Sequence, residues 1–241
     1  MAKMYIGEQE VAPVVPQIID KKKFGVSIDN ILGNVDVNGV YVAPTDTFVL
    51  DFGEVKELGL SAFNHQFYGN ENIIGVVASS LQMVRTSGLN NAFAFCGKIT
   101  SVNLRSLQHV SASGMPNTFN GCTGLTSIDL GSLQTVMDSG MNGTFNGCSA
   151  LTSIDLSSLQ TLEGLAFYSA FVNTKLTTIS FPSLTSVKSN SFGTSTYAYA
   201  FRGCTVLVEI HFRADMQAQI EAMTGYAEKW GATNATIYFD L

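Results

Sequence analysis

The chain repeats itself at a nearly fixed interval, and this limits what it can fold into more than any single motif does. GCTGLTSIDLGSLQTV begins at Gly121, and its near copy GCSALTSIDLSSLQTL begins at Gly147. The same step backwards reaches CGKITSVNLRSLQHV from Cys96 and NENIIGVVASSLQMV from Asn70. A further step reaches TFVLDFGEVKEL, with Leu50, Phe52, Val55 and Leu58 in register. Forward, KLTTISFPSLTSV arrives one position early (Leu151 to Leu176), and TVLVEIHF comes after a longer turn (Leu176 to Leu207). Each unit carries L-x-x-I-x-L, as in Leu125, Ile128 and Leu130, whose final alternation is that of a short strand burying every second side chain. A single unit of this length cannot bury its apolar stripe. Stacked units bury it continuously and pair each strand with the next.

Two columns of equivalent residues support stacking. Phe67, Phe93, Phe119, Phe145 and Phe201 share one position, with Ala170-Phe171 covering the remaining rung, and are expected to stack as a column of rings. Asn70, Cys96, Cys122, Cys148, Asn173 and Cys204 are read as a second column. Asn and Cys are compact side chains that bring a hydrogen-bond donor to a buried turn.

On TFNGCTGLTSIDLGSLQTV, TFNGCSALTSIDLSSLQTL, AFRGCTVLVEIHF and SFPSLTSV (with Pro182), the units resemble leucine-rich repeats of the BspA-like (Treponema pallidum) type, over about 170 of the 241 residues. The units here are longer and carry an S-G-M segment (Ser113-Gly114-Met115, Ser139-Gly140-Met141). The expected fold is an α/β leucine-rich-repeat right-handed solenoid, mostly β. Seven rungs, each of roughly 26 residues, form a parallel sheet over residues 44–212. Ala214 to Trp230 places Met216, Ile220 and Met223 at helical spacing, followed by Ala227 and Trp230, and ATIYFDL follows as a strand. Residues 213–241 therefore read as a helix-strand cap, with Gly225 placed to break the helix into two pieces. Residues 1–43 fall outside the repeat. Asn38-Gly39 between Val35/Val37 and Val40/Val42 is a hairpin signal, so this segment reads as a β cap or an attachment element.

Composition excludes several tasks. A net charge of -6 with only 13 Lys plus Arg argues against nucleic acid. The run Lys21-Lys22-Lys23 is too short to form a basic patch. No apolar stretch is long enough for a membrane span. The opening MAKMYIGEQEVAPVVPQIID lacks the apolar core of a secretory signal, so either that route is unused or the signal lies elsewhere. The four cysteines fall one per rung without C-x-x-C pairing, which suits buried structural thiols rather than a metal or disulfide site. His65, His109 and His211 lie too far apart in the repeat to build a nucleophile–base–orienter set, and no phosphate- or dinucleotide-binding loop is present. The chain is read as a non-enzyme without cofactor or metal.

The outward side chains of the strands are the expected binding face: Asn103 beside Ser101, Ser127 and Asp129, Ser153 and Asp155, Ser180 beside Thr178, and His211 beside Glu209. They form a small, polar, mildly acidic stripe. Asp129 and Asp155 on adjacent rungs offer acceptors to a cation or a basic or hydroxylated ligand, although such residues also simply keep one sheet face wet. The resemblance implies a surface or extracellular, adhesin-like module that recognises a host protein or glycan. The alternative is a structural or receptor-contacting component of a phage virion, with residues 1–43 as the docking piece. Ligand identity and oligomeric state are open at this level.

Overall fold

In the computed structural model the described residues are 3–6, 9–11 and 47–241. The Asn38-Gly39 hairpin lies outside them. What the structure shows near the N-terminus is a different antiparallel pair, β1 (Lys3–Ile6) with β2 (Gln9–Val11). β1 pairs antiparallel with the edge of the first repeat strand, β3 (Phe48–Asp51).

Each rung has three sides. The first is the strand of the L-x-x-I-x-L motif. β3 is followed in order by β5 (Ile73–Val77), β7 (Ser101–Asn103), β9 (Ser127–Asp129) and β11 (Ser153–Asp155), all parallel, with one register shift between Phe48 and Val49 in the first pair. The second side consists of two-residue strands from the following L-x-T-V segment. These are β4 (Glu57–Leu58), β6 (Met83–Val84), β8 (His109–Val110), β10 (Thr135–Val136), β12 (Thr161–Leu162) and β14 (Ser186–Val187). They form one parallel sheet of six strands, each burying its second residue. Because the strands from β5 to β11 are in register, equivalent side chains fall on top of one another.

The third side, which begins at S-G-M, is a ribbon of overlapping turns. Its N–H groups alternate between two partners. Those of Met115, Asn117, Phe119 and Gly121 donate to Gly140, Asn142, Thr144 and Asn146 of the next rung, while those of Thr118, Asn120 and Cys122 donate three residues back. Every fourth residue is left-handed: Ser113, Asn117 and Gly121 have φ of 50°, 52° and 71°, and the pattern returns at Ser87, Asn91 and Phe95. Ser, Asn and Gly tolerate this region better than branched residues do. A right-handed helix cannot propagate through such positions, so the ribbon takes the place of one.

The ribbon carries the Phe column inward. Successive ring centroids from Phe67 through Phe93, Phe119, Phe145 and Phe171 to Phe201 lie 5.1, 5.6, 5.9, 5.8 and 5.6 Å apart, with planes within 14° of parallel. The register residues Leu50, Phe52, Val55 and Leu58 of the first rung are all buried in the same core.

One expectation is corrected. The seven rungs do not share one continuous sheet. β13 (Thr178–Phe181) and β15 (Glu209–Phe212) join the C-terminal strand β16 (Thr236–Phe239) in a separate three-stranded parallel sheet. The chain reaches the sixth rung one residue short, and the N–H of Lys175 meets the carbonyl of Leu151 at 2.9 Å where a ladder would otherwise continue. The C-terminal segment forms the expected cap of short helical turns and a strand, with the break at Gly225. A 3-10 turn (Ala214–Met216) leads into a five-residue helix α1 (Gln217–Glu221), and Gly225 at φ 82° turns the chain back. Met216, Ile220, Met223 and Trp230 are buried as their spacing predicts, whereas Ala227 is exposed. The return is needed to place Trp230 among Phe192, Phe212 and Tyr226, at centroid distances of 4.7, 6.0 and 6.0 Å. Its indole N–H donates to the carbonyl of Thr224 at 2.9 Å.

Candidate functional site

Parallel register places the outward residues of the first sheet in two rows. Ser101, Ser127 and Ser153 form one; Asn103, Asp129 and Asp155 form the other. The serines and aspartates are exposed and Asn103 is half-buried. Ser180 and His211 are also register partners, with Tyr238 next in line, but on the separate C-terminal sheet. The stripe is therefore divided between Asp155 and Ser180.

The acidic row has a local task. Asp129 Oδ1 accepts the N–H of Gly131 and Asp155 Oδ1 that of Ser157, each at 2.9 Å, and Asn103 does the same for Arg105 at 3.3 Å. Asp51 holds Gly53 in the same way at 2.7 Å. These are side-chain turns that end each strand and start the corner. Both carboxylates crowd over Gly131, where a Cβ would lie 2.7 Å from Asp155 Oδ2 and 3.2 Å from Asp129 Oδ1. Among the described residues no group of three or more His, Cys, Asp or Glu side chains gathers as metal ligands.

His211 has more partners than its sequence position suggests. Its Nδ1 lies 2.9 Å from Asp240 Oδ1, its Nε2 lies 3.6 Å from Glu209, and its ring stacks on Tyr238 at 4.8 Å and 14°. Tyr238 is exposed and supplies the aromatic group that the stripe otherwise lacks. Reading ATIYFDL as a cap without a register hides it; the alternation Thr236, Tyr238 against Ile237, Phe239 is the signal that places it on the outward face.

The second column is a ladder of thiol donors. The Sγ of Cys96, Cys122, Cys148 and Cys204 donates to the carbonyl of Phe67, Phe93, Phe119 and Phe171 at 2.9, 3.1, 3.0 and 2.9 Å. Each bond links one rung to the rung before it. Asn70 fills the position in the first repeat by accepting the N–H groups of Asn72 and Ile73. Asn173 is not a member. Counting from the stacked Phe145 and Phe171, the residue equivalent to Cys148 is Thr174, which is buried and hydrogen-bonds the Phe171 carbonyl and Cys204 Sγ. Asn173 takes the place of Gly147 and is left-handed at φ 59°. Burial pushes the thiols of Cys96 and Cys148 up to about 12, and that of Cys122, with a thiol in the rung on either side, higher still. Cys204 is also raised by burial, partly offset by hydrogen bonds from Thr174. All four are free. Such thiols are poor nucleophiles and metal ligands at neutral pH.

A shallow depression is lined by Tyr226, Ala227, Lys229, Thr236 and Ile237. Ser180 and His211 make no hydrogen bond with one another, and no nucleophile–base pair forms along the stripe. No helix among the described residues is long and apolar enough to cross a membrane.

Comparison with known proteins gives a family match over the repeat. The BspA type leucine rich repeat region matches residues 63–198 in 6 copies. A leucine rich cell surface protein from Faecalibacterium prausnitzii A2-165 is 19% identical, with 71% of this chain and 52% of that chain covered and a TM-score of 0.34. A leucine-rich repeat protein from Bacteroides ovatus ATCC 8483 is 16% identical, with 82% and 66% covered and a TM-score of 0.29. The chain thus spans about half the length of the first and just under two thirds of the second. No curated protein matches the chain.

Proposed function

The chain belongs to the BspA-type leucine-rich-repeat family, and we propose that it is a non-enzymatic recognition module of adhesin type, binding a host protein or glycan through the outward face of its sheets. The observation that carries this reading is the ladder of short polar side chains, Ser101 to Ser153 and Asn103 to Asp155, repeated in register on consecutive strands. A repeating row of short polar side chains suits an extended macromolecular ligand. The acidic row favours a partner that brings cations or hydroxyls. The match to a leucine-rich-repeat family supports binding over catalysis.

The test is an array of matrix proteins and mucin-type glycans probed with the wild-type chain and with the double variant Ser127→Arg/Ser153→Arg. Both positions are exposed, so folding is spared while two long cations cover the centre of the face. Binding by the wild type that falls at least about tenfold in the variant supports the reading. A ligand bound equally by both proteins sinks the sheet face as the recognition surface.

A further inference from the structure

The strongest unexplained feature lies on another side of the solenoid, at the outer corner of the turn ribbon. Phe95 occupies the column of Gly69, Gly121, Gly147, Asn173 and Gly203, every one of them left-handed. Phe95 itself has φ 61°, a conformation that bulky side chains avoid, and its ring is 50% exposed. The chain thus bears both a backbone cost and an apolar exposure cost where glycine would remove both. His65 and Leu165 are also left-handed in the ribbon, at φ 58° and 56°, so what sets Phe95 apart is an exposed ring at a position otherwise held by glycine or asparagine. Phe95 does not stand alone. Its ring lies 5.3 Å from that of Tyr68 at 58°, and Tyr68, 53% exposed, lies against His65 at 6.0 Å and 26°. The two exposed rings enclose an open corner.

Polar groups border this corner. Cys96 points inward, so its neighbours Phe95 and Gly97 both face out. At Gly97 the missing side chain leaves a notch between Glu71 and Thr123: a Cβ there would lie 4.0 Å from Glu71 Oε1 and 3.5 Å from Thr123 Oγ1. On the other side the Phe95 ring leans over Gly121, where a Cβ would come within 2.6 Å of it. Gly121 thus seats the ring, and Gly97 leaves the space between Glu71 and Thr123 free of a side chain.

We propose that this corner binds one pyranose ring of a glycan, with Phe95 and Tyr68 packing against the sugar's C–H face and Glu71 and Thr123 receiving its hydroxyls. Two rings are enough to cover a single sugar. They fall far short of the roughly 800 Å² per partner that a stable protein interface or dimer buries, and the neighbouring Ser, Asn and Gly residues extend no apolar surface beyond them. A carboxylate and a hydroxyl beside an aromatic face match the amphiphilic character of a pyranose.

The experiment is titration calorimetry with glucose-, galactose- and N-acetylglucosamine-containing disaccharides, on the wild type and on Phe95→Gly, Glu71→Gln and Asp129→Asn. Phe95→Gly restores the residue that the column otherwise favours, so its urea midpoint is expected to equal or exceed that of the wild type. The expected result is binding of at least one disaccharide that weakens at least about tenfold in Phe95→Gly, weakens in Glu71→Gln and is unchanged in Asp129→Asn. The proposal is overturned if none of the sugars binds, if Phe95→Gly binds as well as the wild type, or if Asp129→Asn abolishes binding, which would move the sugar to the sheet face. Capture of an unglycosylated protein that Phe95→Gly loses while no sugar binds would also overturn it.

Discussion

Rungs two to five and the last two rungs solve the same packing problem in different ways. Between Asn70 and Asp155 the step is constant. One ring, one thiol or Asn, and one turn-forming carboxylate or amide then recur almost rung for rung, and three sets of hydrogen bonds run unbroken. The step into Leu176 is shorter, and the step from there to Leu207 is longer. The strand sheet breaks there, while β12 still pairs with β14 and the Phe column still reaches Phe201. The column does not close that end alone. It is joined by a cluster without period, Phe167, Phe181, Phe192, Phe212 and Trp230, whose pairs include several tilted or edge-on contacts. A fixed step lets one solution propagate as a column; a variable step requires side chains to be fitted to each other individually.

The largest expected effect separates the two regions by pH. A thiol raised by burial stays protonated in the folded chain, while in the unfolded chain it ionises near pH 8.5. Its contribution is therefore complete below about pH 8.5 and is lost as pH rises towards the folded value, about 12 for Cys96 and Cys148. Each thiol removes about 1.4 kcal/mol per pH unit across that window, so three in consecutive rungs amount to several kcal/mol by pH 10. Urea midpoints at pH 7.5, 9 and 10 are expected to fall steeply, and Cys122→Thr, which adopts the chain's own choice at Thr174, to make the slope shallower by one thiol. Iodoacetamide at pH 8 should leave the native chain unlabelled and modify all four cysteines in urea. A wild-type slope no steeper than that of the variant would remove the thiols from the stability of the middle rungs.

Next in size is Trp230→Ala. The indole is fully buried among rings and loses its bond to Thr224, so the cost is about 3–5 kcal/mol. The comparison predicts where the loss appears. If rungs are coupled mainly to their neighbours, hydrogen exchange accelerates over residues 176–241 and leaves 99–162 protected. Uniform acceleration would mean that the broken sheet does not divide the molecule into separately stable parts.

How much of the molecule is legible in its sequence follows from the same contrast. The stacked phenylalanines, the buried L-x-x-I-x-L residues and the outward alternation at Ser127 and Asp129 can be read because they depend only on a constant step. The turn ribbon cannot: its defining feature is φ at Ser113, Asn117 and Gly121, and nothing in apolar periodicity reports a left-handed residue. The carboxylates of Asp129 and Asp155 look like ligand acceptors because their partners are backbone N–H groups two residues on, which side-chain types do not show. Where the step varies, alignment itself fails. Residue type matches Asn173 to the cysteines, although the distance from Phe171 assigns Thr174. Phe95 is visible as a break in a glycine column, but only once that column is recognised as a turn.

The smallest effects test whether that glycine column is set by the backbone or by crowding. Gly147 is left-handed at φ 75°, and a Cβ there would touch nothing closer than 3.5 Å, an ordinary contact. Gly147→Ala therefore adds backbone strain without a clash. A left-handed alanine costs roughly 1–2 kcal/mol, while the stiffer unfolded chain returns about 0.4–1 kcal/mol, so the net loss is expected near 1 kcal/mol. At the equivalent position beyond the regular rungs, Asn173 already tolerates φ 59°. Asn173→Gly relieves little strain and loosens the unfolded chain, so its stability should shift by less than about 0.5 kcal/mol. If Gly147→Ala were as neutral as Asn173→Gly, the left-handed turns would not be what enforces glycine, and Phe95 would cost the fold nothing beyond its exposed ring.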